Sequence, residues 1–313
     1  MRRPPKLRPL IWLALLGVLL TACNPSGGAS PTSLPTPSTA TSSGAASAPF
    51  IPQLVSSDTV VGVNRFLFGI DDPSGTRSIG KPDIKVEVGF QGDGPPATTI
   101  QPTAARFIWA IPDERGLYAV DVTFPTAGNW TAVFRASGPA LPAAKVSVQF
   151  EVKEKGYSVA IGGKAPSVKT PTAATPADVA RIATDMTPDP RFYTTSVDKA
   201  VAEHKPFVLV FATPAFCKTR VCGPTLEGIK AVAKTEPGML FINVEPYKLQ
   251  YADGRLQPVL DATNQLQAVD AVLAYGIVSE PWAFVVDGKG IVRGSFEGVV
   301  SPEELKAAIA AVR

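Results

Sequence analysis

The sequence predicts two folded domains in series, an N-terminal all-β sandwich and a C-terminal α/β fold, and three observations carry that expectation. Residues 84–152 hold repeated period-two alternation of apolar side chains, the pattern of half-buried strands. Residues 207–212, FVLVFA, are an unbroken apolar run of strand length, which suits a strand buried on both faces of a parallel sheet. Residues 24–48 are rich in Pro, Ser, Thr, Gly and Ala and carry no charge, so they cannot build a core and read as a tether.

The chain has 313 residues, enough for two modest domains, with 31 Pro, 26 Gly and only 18% charged residues. That composition favours strands, turns and linkers over long helices. Residues 1–22 form a basic start followed by an apolar stretch, Leu10 to Leu20, too short for a comfortable membrane span and matched to a signal-peptide core. Leu20-Thr21-Ala22-Cys23 resembles the lipobox of bacterial lipoproteins. The resemblance implies that Cys23 is lipidated, becomes the first mature residue and anchors the protein on the extracytoplasmic face of the membrane, where disulfides persist. Arg2, Arg3, Lys6 and Arg8 lie in the leader, and losing those four takes the net charge from +3 to −1. A near-neutral mature chain has no electrostatic case for nucleic acid.

The β domain is expected over residues 49–153. Ile84, Val86, Val88 and Phe90 alternate with other residues, as do Tyr118 to Phe124, Trp130 to Phe134 and Val146 to Val152. Turn signals at Gly92-Asp93-Gly94-Pro95 and Pro125-Thr126-Ala127-Gly128 separate them, as in an antiparallel sandwich. Residues 116–130, GLYAVDVTFPTAGNW, resemble the late strands of immunoglobulin-like bacterial domains, some of which occur in copper-handling proteins. Residues 49–153 contain no His, Met or Cys, so the copper association does not transfer. The domain reads as a spacer or interaction module.

Residues 154–190, with five prolines and the pair Gly162-Gly163 along their length, read as a linker or as chain lying over the next domain, with a short helix at Ala177 to Ala183. From residue 191 to 313 the expected order is a helix from Val197 to Glu203, the Phe207 strand, a cysteine-bearing turn, a helix from Pro224 to Lys234 and a strand from Met239 to Val244. A loop from Glu245 to Pro258 and a helix from Val259 to Tyr275 follow. A hairpin of Trp282 to Val286 with Ile291 to Ser295 comes next, then a final helix opened by Ser301-Pro302-Glu303-Glu304, which supplies a cap, a first-turn proline and a capping-box Glu.

The chemistry concentrates at Cys217 and Cys222. They sit where a strand ends and a helix begins, with Lys218 and Arg220 between them. Helix-start amides and nearby cations both favour thiolate over thiol. Five positions along a helix turn through about 500°, leaving the two side chains about 140° apart. A bond between them therefore requires residues 218–221 to leave the helix, since linked Cα atoms lie within about 7 Å.

This order of elements resembles the thioredoxin fold. Pro-Ala-Phe-Cys217 is similar to the aromatic-Cys segment of that family, Cys222-Gly223-Pro224 repeats part of its Cys-Gly-Pro-Cys motif, and Ser279-Glu280-Pro281 falls where it places a cis-proline. The resemblance implies a thiol–disulfide oxidoreductase in which Cys217 is the nucleophile, Cys222 resolves, Lys218 and Arg220 lower the thiol pKa, and Phe216 and Pro281 shape the substrate groove. Partners would be protein thiols and disulfides outside the cytoplasm. The family spaces its cysteines by two residues; here there are four. Two other readings stay open: a scaffold lipoprotein whose Cys217–Cys222 bond is structural, and a Cu(I) carrier. Copper-delivery proteins of this fold add a late histidine, whereas the single histidine here, His204, precedes the strand and reads as a loop residue. No cofactor and no metal site is expected. Glu245, Tyr247 and Trp282 read as a loop acid and core aromatics.

Overall fold

Eight strands make up the first half of the computed structural model, which describes residues 48–313; the leader, the tether and Cys23 lie outside the described residues. The strands are β1 (Ile51–Leu54), β2 (Gly62–Asp71), β3 (Lys85–Gly92), β4 (Thr98–Ala104), β5 (Arg106–Ile111), β6 (Arg115–Phe124), β7 (Gly128–Gly138) and β8 (Leu141–Val152). They form two antiparallel sheets, ordered β1-β2-β6-β5 and β4-β3-β7-β8. Phe66, Phe68, Tyr118 and Phe124 of the first sheet meet Val88, Phe90, Trp130 and Phe134 of the second in one core. Pairs such as Phe68–Phe134, 4.8 Å between ring centroids and tilted by 62°, lock the sheets face to face. The alternating runs read from sequence fall on β3, β6, β7 and β8, while β1, β2, β4 and β5 escape that reading. In β2 residues Phe66 to Ile70 are all buried, so its pattern has no polar face to reveal a period of two.

The second half centres on a four-stranded sheet. Its elements are α1 (Val197–Ala202), β9 (Phe207–Phe211), α2 (Cys222–Thr235), β10 (Leu240–Val244), β11 (Leu249–Ala252), β12 (Arg255–Pro258), α3 (Asp270–Tyr275), β13 (Trp282–Val286), β14 (Val292–Glu297) and α4 (Pro302–Ala310). The sheet order is β10-β9-β13-β14, with β10 parallel to β9 and β13 antiparallel to both β9 and β14. All five residues of β9 are buried. Val208 and Val210 face Leu226, Ile229, Leu305 and Ile309 of α2 and α4. Phe207, Leu209 and Phe211 face Val197, Ala200, Ala271 and Tyr275 of α1 and α3. Each such side chain removed from water contributes about 1.5–3 kcal/mol, so helices on both faces are what a wholly apolar strand requires.

Three local expectations need correction. The loop expected over Glu245 to Pro258 contains the antiparallel hairpin β11–β12. The helix expected from Val259 is present only over Asp270–Tyr275. Asp261 accepts hydrogen bonds from the amides of Thr263 and Gln265 and from the Thr263 hydroxyl, and Asn264 has φ of 63°, so a side-chain-closed turn replaces helix there. At Ala177 to Ala183 the chain forms a 3₁₀ turn, Pro176–Arg181, closed by Thr175 and Asp178.

The segment 154–190 lies over the second sheet. Val159 N–H donates to the Tyr275 carbonyl at 3.0 Å, Gly162 N–H to Val292 at 2.8 Å and Ala165 N–H to Gly290 at 2.8 Å. Gly276 ends α3 with φ of +65°, and a Cβ there would meet the Tyr157 carbonyl oxygen at 1.9 Å, so both the turn and the overlying chain require glycine.

The described residues, 48–313, form one compact unit. The outer face of β1-β2-β6-β5 is covered by the second half: Leu67, Ile108, Ala110, Leu117 and Ala119 share a core with Val221 and Val299. Arg65 pairs with Glu304 at 2.8 Å, both nearly buried, and its Nη2 donates to the Val299 carbonyl at 2.8 Å. No described helix is long and apolar enough to cross a membrane.

Candidate functional site

Strand β9 ends at Phe211, and the chain turns through Pro214 to Phe216 to deliver Cys217. A network running from buried Glu245 to the surface holds that turn: Glu245 accepts from the Thr184 amide at 2.7 Å and hydroxyl at 2.8 Å, and the Thr184 hydroxyl in turn accepts from the Ala215 amide at 3.2 Å. Burial holds the Glu245 carboxyl above its ordinary range. Residues 218–221 are outside any helix, and α2 starts at Cys222. Arg220 adopts φ of 65°, and its N–H reaches the Cys217 carbonyl at 3.4 Å, curling the loop back on itself. The condition for the two cysteines to meet is thus satisfied: they lie 2.6 Å apart as free thiols.

The two thiols differ sharply. Cys222 is fully buried, and Cys217 is partly exposed. The Cys222 side chain, the Thr219 hydroxyl at 3.3 Å and the Cys222 N–H at 3.3 Å all direct hydrogen-bond donors to Cys217 Sγ, and outweigh partial burial to bring it down to about 5. The Cys222 thiol is held far above its ordinary range, first because it donates to Cys217, then by burial and by the nearby charges of Cys217 and Glu280. Of the two sulfurs, it is the partly exposed one at Cys217 that is held toward the thiolate.

Pro281 follows a cis peptide bond from Glu280. Because Trp282 pairs with Phe211, Pro281 stands beside the end of β9 from which the cysteine turn springs. Phe216 lines a groove of about 710 Å³ with Ala183, Met186, Pro188 and Leu256; Pro281 is not among its lining residues. Lys218 and Arg220, expected to depress the thiol pKa, contribute none of the largest effects on Cys217. Arg220 pairs instead with Glu114 of the β-sandwich at 2.9 Å, and Lys218 acts on Glu280.

Sequence reasoning missed Thr219 and Glu280 and set Tyr247 aside. Tyr247 donates to Glu280 Oε2 at 2.8 Å. Burial raises the Glu280 carboxyl, the Cys217 charge adds to that, and the same burial raises Tyr247, so an acid–phenol pair faces the two thiols. A Glu directly before the cis-proline was the available signal. Trp282 is a core aromatic, donating to Ser295 Oγ at 2.9 Å, and His204 lies in a loop with φ of 53°. Among the described residues no group of three or more His, Cys, Asp or Glu side chains is placed to hold a metal ion. No protein-family model matches the chain, and no curated protein matches it.

Proposed function

We propose that the chain is a lipid-anchored, extracytoplasmic thiol–disulfide oxidoreductase, with an immunoglobulin-like N-terminal domain and a C-terminal domain of thioredoxin type. The carrying observation is the asymmetry of the cysteine pair: Cys217 partly exposed in the loop against Cys222 buried at the first residue of α2, both free and close enough to bond, with the surroundings favouring thiolate at the former. The parallel β9–β10 pair, the antiparallel β13–β14 hairpin, helices on both faces and the position of Pro281 beside the cysteine turn support the fold reading. The leader and Leu20 to Cys23 support the anchor at Cys23.

In the reductive direction Cys217 Sγ attacks one sulfur of a substrate disulfide. The substrate S–S bond breaks, a mixed disulfide forms, and the departing substrate thiolate takes a proton from water. Cys222 then gives its proton to water and attacks Cys217 Sγ, which closes the Cys217–Cys222 bond and breaks the mixed disulfide; the second substrate sulfur leaves as a thiolate and takes up a proton from water. The substrate gains two electrons and the pair loses two; an external dithiol restores it.

The test is a redox titration of the full chain carrying Cys23→Ser against glutathione, with thiols counted at each point. Two thiols disappearing together in a reversible transition, and loss of all exchange in Cys217→Ser, are the expected results. A bond that forms but never exchanges makes the pair structural. Stoichiometric Cu(I) uptake by the reduced pair without disulfide exchange points to copper handling.

A further inference from the structure

We infer that the β-sandwich is part of the redox centre and positions the Cys217–Cys222 loop, so that it sets the charge on Cys217. This rests on the oxidoreductase reading of that pair. Three consecutive residues of the four-residue loop are held from the sandwich. Thr219 presents its carbonyl to Arg115 Nη1 at 3.4 Å. Arg220 reaches Glu114 Oε1 at 2.9 Å and Oε2 at 3.4 Å. Val221 is 7% exposed and buried with Leu67, Ile108, Ala110 and Leu117. Glu114 closes the tight turn between β5 and β6, where Asp113 has φ of 60° and the Glu114 N–H meets the Ile111 carbonyl at 3.1 Å, and Arg115 opens β6.

These anchors fall on the residues that make the pair work. Thr219 carries the hydroxyl that faces Cys217 Sγ, Arg220 supplies the left-handed bend, and Val221 immediately precedes the first residue of α2, whose N–H also faces that sulfur. A four-residue spacing is too long to be held by one helical turn, and a loop of this length left free samples many conformations. The sandwich removes that freedom from outside: Val221 is pinned by apolar contact, Arg220 by an ion pair and Thr219 by its carbonyl. Detaching it releases the Thr219 hydroxyl and the Cys222 amide from Cys217, and both losses disfavour the thiolate.

The experiment compares full-length Cys23→Ser protein with two further variants in that background. Val221→Ala cuts the apolar anchor. Glu114→Gln/Arg220→Gln cuts the polar one while leaving the net local charge unchanged. Cys217 alkylation by iodoacetamide is followed against pH, and the equilibrium constant with glutathione is measured alongside. Val221→Ala is expected to move the alkylation midpoint upward and change the glutathione constant about tenfold, as a cavity in a packed contact does. The exposed polar pair is expected to change it about twofold to fivefold, in the same direction for the midpoint. Should Val221→Ala fail to fold, the exposed double variant carries the test. Unchanged midpoint and glutathione constant, with only the melting temperature lowered, overturns the inference and leaves the sandwich a mere support. If the parent protein does not equilibrate with glutathione, the oxidoreductase reading falls, while the alkylation midpoint still decides whether the sandwich sets the Cys217 charge.

Discussion

The two sheets of the sandwich share an architecture and differ in what covers their outer faces. On β4-β3-β7-β8 the outer positions include Glu87, Arg135 and Lys145, side by side in register and exposed. On β1-β2-β6-β5 the equivalent positions are Leu67, Leu117 and Ala119, buried against Val221 and Val299. The first face is an ordinary solvated surface; the second is an internal interface that joins the sandwich to the cysteine loop. A sheet apolar on both faces is therefore a docking surface, and here it docks beside the candidate site.

The largest expected effect tests that contrast directly. Leu67→Asp places an unpartnered carboxylate in the interface and should cost at least about 3–5 kcal/mol in denaturant melts. Gln149→Asp on the exposed β8 should stay within about 0.5 kcal/mol. Equal costs at the two positions would mean that the two outer faces are alike. Next comes Arg65→Ala. It leaves the nearly buried Glu304 with only the more exposed Arg106, so a loss of about 3 kcal/mol is expected. Asp121→Ala, which breaks only the exposed partner of Arg106, should cost below about 1 kcal/mol.

The interface carboxyls give a subtler readout, because they titrate in opposite senses. Burial pushes Glu304 up, but hydrogen bonds and charge from Arg65, with the Ser301 amide, hold it below its ordinary 4.5. Its contribution is present above pH 4.5 and lost as pH falls through the folded-state value. Glu297 is raised by burial despite hydrogen bonds from Ser57 and Ser279. The folded state then binds its proton more tightly than the unfolded chain, so stability declines as pH rises above 4.5. Glu297→Gln should flatten that decline in thermal melts taken across pH 4 to 8, and an unaltered slope would show that another group sets it. The remaining readout concerns the thiol itself: alkylation of Cys217 should reach half its plateau rate near pH 5. A midpoint near that of an ordinary thiol would erase the contrast between the two cysteines.

Much of the second half was legible because its signals are local. FVLVFA announces a strand buried on both faces, Ser301-Pro302 with Glu304 announces a helix start, and Gly223-Pro224 marks the first turn after Cys222. Other features depend on distant partners. Nothing near Asp261 distinguishes a capped turn from a helix until Thr263 and Gln265 are seen donating to it. For residues 154–190 the sequence leaves linker and overlying chain undivided, because hydrogen bonds that settle it go to Tyr275, Gly290 and Val292, more than a hundred residues away. Glu114 carries no signal of its own; only the fold brings it to Arg220.

The sequence by itself determined the strand periods of β3, β6, β7 and β8, the start of α4, the cysteine spacing and therefore the requirement that residues 218–221 leave the helix. Those follow from backbone geometry and side-chain period, which act within a few residues. Tertiary structure alone decided how that requirement is met. The pairing of Arg220 with Glu114, the Thr219 carbonyl on Arg115 and the burial of Val221 all join the loop to a sandwich strand pair a hundred residues upstream, and such contacts exist only once both halves have packed.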